Sequence, residues 1–260
     1  MYQAFEFDSL DLDPHSPFFW DHVSRYWWAS GQMEGKSVLD CACGKGYGSY
    51  ILSQKARAVY GIDLNEKSLE IARSAFHKPS LSFRSFDVLA LEKFEHPLDY
   101  VVAFEVIEHL PPAETDRFLG GIAKKLGPDG ILLLSTPNHE VVTKSGVQVP
   151  DFHINNLTAP ELRAALGKHF GSVTMLGQFR KRPWLQSLLF SLDFWNLRHS
   201  LRRPAREAKK VSEMKSQENK KQDLSPYLES CPEEVGNYRF SPWHWRQAGL
   251  TVAVCRQPIS

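Results

Sequence analysis

The chain has little of what a disulfide scaffold, a zinc ribbon or a membrane span requires. Its 260 residues hold four cysteines, Cys41, Cys43, Cys231 and Cys255, and no C-x-x-C pair. A disulfide framework and a structural zinc site are therefore not expected, and reduced thiols in a cytoplasmic protein fit the pattern. No apolar run reaches the length of a transmembrane helix. The first residues, MYQAFEFDSLDLDP, are acidic and have no basic segment ahead of an apolar core, so no signal peptide is expected. An excess of one charge is lacking too: 31 Lys and Arg against 30 Asp and Glu leave a formal net charge of +1. Such a balance gives no general attraction to polyanions, and nucleic acid is not an expected partner.

Short β-rich runs alternate with helical patterns. Strands are expected at 37–42, 58–64, 81–86, 98–105, 131–137, 172–178 and 250–257. The run at 98–105, LDYVVAFE, is nearly all apolar, as a strand covered on both faces should be. Between them lie helices at 48–56, 65–76, 113–126 and 161–170. Asn65 is placed to cap the second of these, and Thr158 with Glu161 forms a capping box for the last. The alternation predicts βαβ units and a doubly wound, mostly parallel α/β sheet. Residues 36–178 are expected as the core and 250–260 as its final strand. Residues 1–35, rich in aromatics, read as a helical cap, and 179–249 as an insertion or lid, being far longer than an ordinary connection. Within it Leu185, Leu188, Leu189 and Leu192 share a helical face, Trp184, Phe194 and Trp195 flank them, and a basic run follows from Arg198 to Lys221. The domain body, a partner subunit or a membrane surface could cover that face, and 183–222 suits peripheral membrane contact. Oligomeric state is not encoded in any motif.

The sharpest motif is Val38-Leu39-Asp40-Cys41-Ala42-Cys43-Gly44-Lys45-Gly46-Tyr47-Gly48, a strand running into a glycine-rich turn and a helix. Glycines admit close backbone approach of a ligand, and a helix start offers unpaired N–H groups. Asp63 ends the second strand and Asp87 the third. Each alone reads as a cap or a solvated turn; three signals at successive strand ends mark the edge where open α/β sheets bind ligands. A dinucleotide fingerprint would need a third glycine where Ser49 stands.

The pieces VLDCACGKG, GIDL, SFDVL, FEVIEHL and LLLSTPN, in this order, resemble the class I S-adenosylmethionine-dependent methyltransferases. The resemblance implies a seven-stranded sheet with the last strand antiparallel. It also implies a cofactor site at Asp40, Ala42, Gly44 and Gly46, with Asp63 and Leu64 toward the ribose, Asp87 and Val88 toward the adenine, and Glu105 beside them. Ala42 stands where many members have a glycine. His22-x-x-Arg25-Tyr26 resembles a pattern of bacterial members tied to glycan assembly, in which Arg25 or Tyr26 would close over the cofactor; for Arg25 a surface ion pair is the competing reading.

Glu105, Glu108 and His109 form E-x-x-E-H directly after the buried fourth strand, and His153 follows before a helix. Two carboxylates and two imidazoles suit a divalent cation. The set is similar to the magnesium site of plant small-RNA 2′-O-methyltransferases, and ubiquinone-pathway O-methyltransferases carry a related E-x-x-E-H. Three readings stand: a Mg2+ or Mn2+ site, His109 as general base with Glu105 beside it, or a structural turn. A hydroxyl is a poor nucleophile until its proton leaves, so a metal or base points to an oxygen acceptor. The expected acceptor is a small molecule, first a sugar or glycan intermediate, with a quinone-type phenol, a lipid or an RNA end as alternatives. A degenerate module that binds S-adenosylmethionine without turnover is the reading from another class.

Overall fold

The computed structural model describes residues 17–146, 148–181 and 225–259. The apolar stripe of Leu185, Leu188, Leu189 and Leu192 and the basic run from Arg198 to Lys221 lie outside these described residues.

The elements follow the expected alternation. Helix α1 (Pro17–Ser30) precedes β1 (Ser37–Cys41), α2 (Tyr47–Leu52), β2 (Ala58–Asp63), α3 (Glu66–Ala75), β3 (Leu81–Ser85) and β4 (Leu98–Phe104). After these come α4 (Thr115–Lys125), β5 (Leu126–Pro137), α5 (His139–Lys144), α6 (Ala159–Gly167) and β6 (Phe170–Arg180). A helical turn α7 (Ser225–Leu228), β7 (Tyr238–Ser241) and β8 (Leu250–Pro258) complete the described chain. The local signals act as their chemistry requires. The Asn65 side chain accepts the Ser68 N–H at the start of α3, and Thr158 and Glu161 form both arms of a capping box on α6.

The sheet order is β3-β2-β1-β4-β5-β8-β6-β7. Strands β1 to β5 pair in parallel. β8 runs antiparallel between β5 and β6. Gly127–Gly130 loops out of the β4–β5 ladder, because pairing jumps from Leu98–Leu126 to Tyr100–Ile131. The sheet has eight strands, one more than expected. The additional strand β7 pairs antiparallel with the outer edge of β6, Phe240 opposite Gln178. Residues 238–241 of the stretch expected as a lid are thus sheet.

Alternation along the buried strands assigns two cores. Leu39, Val101, Ala103, Leu132 and Leu134 face α4 and α6, with Phe118, Ile122, Leu162 and Leu166. Val38, Tyr100, Val102 and Leu133 face α1 and α2, with Phe19, Val23, Tyr26, Trp27, Ile51 and Leu52. The N-terminal helix is therefore more than a cap, since its aromatic face is part of the second core. Among the described residues no helix is long and apolar enough to cross a membrane.

Candidate active site

β1 has β2 on one side and β4 on the other. Their crossover connections leave in opposite directions, so a crevice opens above the strand C-termini. A cavity of about 890 Å³ occupies it. Its walls come from α1, the glycine turn, the ends of β2, β4, β5 and β6, and the 148–156 loop.

The glycine turn runs through the left-handed region, which glycine adopts freely and which strains only Ala42. Ala42, Gly44 and Gly46 have φ of 53°, 52° and 84°. Gly46 also needs its missing side chain, because a Cβ there would lie 2.6 Å from the Ala72 Cβ and 2.7 Å from the Phe83 ring. Asp63 braces the turn from β2. One carboxylate oxygen accepts the Gly44 N–H at 2.8 Å and the other the Asn65 N–H at 2.8 Å. A carboxylate has about four acceptor positions, so capacity for ligand hydroxyls remains.

Arg25, Ala42, Gly44, Asp63, Leu64, Val88 and Glu105 line the cavity. Asp40, Gly46 and Asp87 do not. Asp87 caps the 3-10 turn after β3 by accepting the Leu89 N–H at 2.8 Å. Asp40 is fully buried beneath the turn. It accepts hydrogen bonds from Ser49 Oγ at 2.6 Å and from the Tyr26 hydroxyl at 3.2 Å. Burial pushes its carboxyl up to about 7, against these two hydrogen bonds, which hold it down.

The E-x-x-E-H segment turns sharply out of β4, with Glu105 at φ 57°. A non-glycine residue held there stores backbone strain, a feature that clusters at functional sites. Glu108, His109 and His153 bring one ligand atom each within 4.8 Å of one another. Glu105 is outside that set: it accepts from Ser135 Oγ at 2.8 Å and lies 3.8 Å from the Arg25 guanidinium. Glu108 accepts from Thr136 Oγ1 at 2.9 Å, while its other oxygen is buried with no hydrogen-bond partner among the described residues. Burial, and then the charge of Glu105, hold the Glu108 carboxyl well above the usual carboxylate range. Burial and the neighbouring His153 push His109 down to about 4. Burial also lowers His153. The two rings stand edge-on with centroids 5.0 Å apart. Asn155 brings the loop and the turn together. Its N–H donates to the Glu108 carbonyl and its amide group to Ile107 O and Thr115 Oγ1.

Arg25 is 1% exposed, which removes the surface ion pair as its reading. It donates to Gln178 Oε1 at 2.9 Å, and its Nε and Nη2 have no hydrogen-bond partner among the described residues. Gln178 in turn donates to the Asp21 carbonyl and Ser24 Oγ, fastening α1 to β6. Burial, and then the Arg25 charge, hold His22 well below the usual imidazole range. Gln178 and Asn155 are site residues that the motifs do not show, and Thr136 lies inside LLLSTPN, which does not reveal its bond to Glu108. The signal for Gln178 is faint: it is a polar residue ending a strand on the ligand-binding edge. Asn138, at the end of β5, donates its side-chain amide to the Arg246 carbonyl and serves the turn.

Residues 38–130 match a methyltransferase domain family. Over 172 residues the chain is 32% identical to a probable S-adenosylmethionine-dependent methyltransferase of Mycobacterium tuberculosis, covering 65% of this chain and 61% of that protein. Over 112 residues it is 35% identical to a ubiquinone biosynthesis O-methyltransferase of Nitrosospira multiformis, covering 41% and 45%. The chain thus spans less than two thirds of the length of these relatives. Of solved structures, the PH0226 protein from Pyrococcus horikoshii OT3 superposes with a TM-score of 0.54 at 18% identity, over 65% of this chain and 88% of that one. The methyltransferase domain of a bacterial CtHen1 gives 0.50 at 20% identity, over 59% and 88%. Identities this low speak for the fold alone. Residues 38–130 thus match a methyltransferase domain, the relative of 32% identity is a probable S-adenosylmethionine-dependent methyltransferase, and the solved structures share the fold.

Proposed function

We propose that the protein transfers a methyl group from S-adenosylmethionine to a hydroxyl oxygen of a small molecule. One observation carries this reading: a single cavity spans the glycine turn with Asp63 at one end and Glu108, His109 and His153 at the other. Cofactor and acceptor can therefore meet in one cavity, as in-line transfer requires.

The residues fit the cofactor. Gly44 lines the cavity without a side chain, Asp63 has acceptor capacity for ribose hydroxyls beyond the Gly44 N–H it already accepts, and the buried Arg25 has donors suited to a carboxylate. When bound, the cofactor supplies an electrophilic sulfonium methyl. The chain must hold the acceptor oxygen in line with it and take away the hydroxyl proton. Glu108, His109 and His153 also fit a divalent cation, Mg2+ or Mn2+, because both imidazoles are held neutral and Glu108 has an oxygen without a hydrogen-bond partner. Such an ion would lower the pKa of the acceptor hydroxyl. Without it, His109 is the residue placed to take the proton. Glu105 serves in this reading by balancing Arg25 rather than as a ligand.

A sugar or glycan hydroxyl is the first acceptor to test, on the His22-x-x-Arg25-Tyr26 pattern. A phenol is the second, favoured by the apolar wall of Val142, Val149, Pro150 and Phe152 and by the similarity to ubiquinone-pathway enzymes. A cytoplasmic site of action agrees with four unpaired thiols. The test is mass spectrometry of glycan and phenol pools incubated with the purified protein and methyl-labelled cofactor. Label on a carbon or nitrogen acceptor would overturn the oxygen reading. Tight S-adenosylhomocysteine binding with no labelled product from any pool would favour the non-catalytic module.

A further inference from the structure

Asp40 belongs to the glycine motif yet is cut off from the cavity that the motif lines. Its carboxylate instead joins three elements. It stands on β1, takes a hydrogen bond from Ser49 on α2, and takes another from Tyr26 on α1. The Tyr26 ring is pressed against the first turn of α2, where a Cβ on Gly48 would lie 2.2 to 2.5 Å from it. Gly48 has no left-handed φ, so its role is to leave room for this ring. Tyr47 and Phe104 close on the ring edge-on, with centroids at 5.7 and 5.1 Å.

The next residue back along α1 is Arg25. Consecutive helix positions differ by about 100° in direction. Fixing Tyr26 against Asp40 and Gly48 therefore fixes the rotation of α1 that turns Arg25 into the cavity. There Arg25 meets Gln178 and approaches Glu105. An ionised carboxylate would be costly to bury for packing alone, and Asp40 lies four residues before Gly44, the turn residue that Asp63 braces.

We propose that Asp40 is a positioning residue that ties the glycine turn to α1 through Tyr26, so that forming the cofactor site and seating Arg25 are one event. The proposal rests on reading the cavity as the S-adenosylmethionine site. The carboxylate does not line the cavity, whereas Tyr26 does. Asp40 acts through the Tyr26 hydroxyl at one end and through the strand leading into the turn at the other.

Tyr26→Phe removes one hydrogen bond and keeps the ring, so it leaves the packing on Gly48 in place; Asp40→Asn removes the charge. Each is expected to weaken S-adenosylhomocysteine binding, by calorimetry, about tenfold. The double variant should be no weaker than the worse single one, because both break the same link. In the ligand-free protein, hydrogen exchange should quicken over the second half of α1 and stay unchanged in α4. A residue that merely supports the core would instead lower the melting temperature and quicken exchange throughout. Affinity within about twofold of wild type in both variants, additive losses in the double variant, or unchanged exchange in α1 would each overturn the proposal. If Asp40→Asn fails to fold, Tyr26→Phe decides alone. Wild-type protein that does not bind S-adenosylhomocysteine would refute the cavity reading instead, and exchange in α1 would then decide whether Asp40 holds the helix.

Discussion

Arg25 and Glu105 face each other at 3.8 Å inside the cavity, the guanidinium almost wholly buried and the carboxylate about one fifth exposed. Two guanidinium nitrogens already lack hydrogen-bond partners among the described residues. Glu105→Gln leaves the Arg25 charge uncompensated and should destabilise the fold by about 2–3 kcal/mol in urea unfolding. Arg25→Met removes the charge together with its unsatisfied donors and should cost less stability, while weakening S-adenosylhomocysteine binding. An equal stability loss for both variants would mean that Arg25 holds the fold rather than a ligand.

Asp63 accepts two backbone N–H groups that shape the turn and is proposed to meet the ribose. Asp63→Ala is expected to lose about 1.5–3 kcal/mol of S-adenosylhomocysteine binding, roughly ten- to a hundredfold in calorimetric affinity. Asp63→Asn can accept with its carbonyl alone and should fall between wild type and alanine.

If Glu108, His109 and His153 hold the proposed divalent ion, transfer should depend on it. Excess chelator should abolish label transfer, and Mg2+ or Mn2+ should restore it. Glu108→Gln should cost far more rate than cofactor affinity, whereas Glu105→Gln should leave metal affinity nearly unchanged, since Glu105 is outside the convergent set. Full activity in chelator would leave His109 as the base.

Asp40 gives a pH signature. Its pKa rises on folding from 3.8 to about 7, so the folded chain binds this proton more tightly than the unfolded one. The cost of the buried charge is complete above about pH 7 and is relieved as pH falls toward 4. At about 1.4 kcal/mol per pKa unit the swing is at most of order 4 kcal/mol. Asp40→Asn has no such titration. The melting temperature of wild type minus that of the variant should therefore be larger at pH 5 than at pH 8. A difference independent of pH would show that Asp40 does not titrate in this range.

Much of the fold is legible because its signals are local. Asn65 and the Thr158–Glu161 pair announce helix starts that a few neighbouring backbone groups decide. The near-continuous apolar run of β4 reports burial on both faces, and glycines and carboxylates at successive strand ends report the ligand edge. β7 was not legible: four residues, Tyr238–Ser241, carry too little periodicity, and pairing with β6 across the long connection makes them a strand.

By itself the sequence determined the alternation of strands and helices, the glycine turn and the presence of carboxylates and imidazoles near the strand ends, since each depends on neighbours within a few residues. Only the tertiary structure decided which of them work together. It buried Asp40 under Tyr26 and drew Glu105 to Arg25 and Ser135. It brought His153 to Glu108 and His109 through Asn155, and it made Gln178 the link between α1 and β6. Side-chain direction at a strand end is set by the strained turn that follows and by charges arriving from elsewhere in the chain. Spacing along the sequence records neither, because the partners of a buried charge are chosen by the cost of leaving it unpaired.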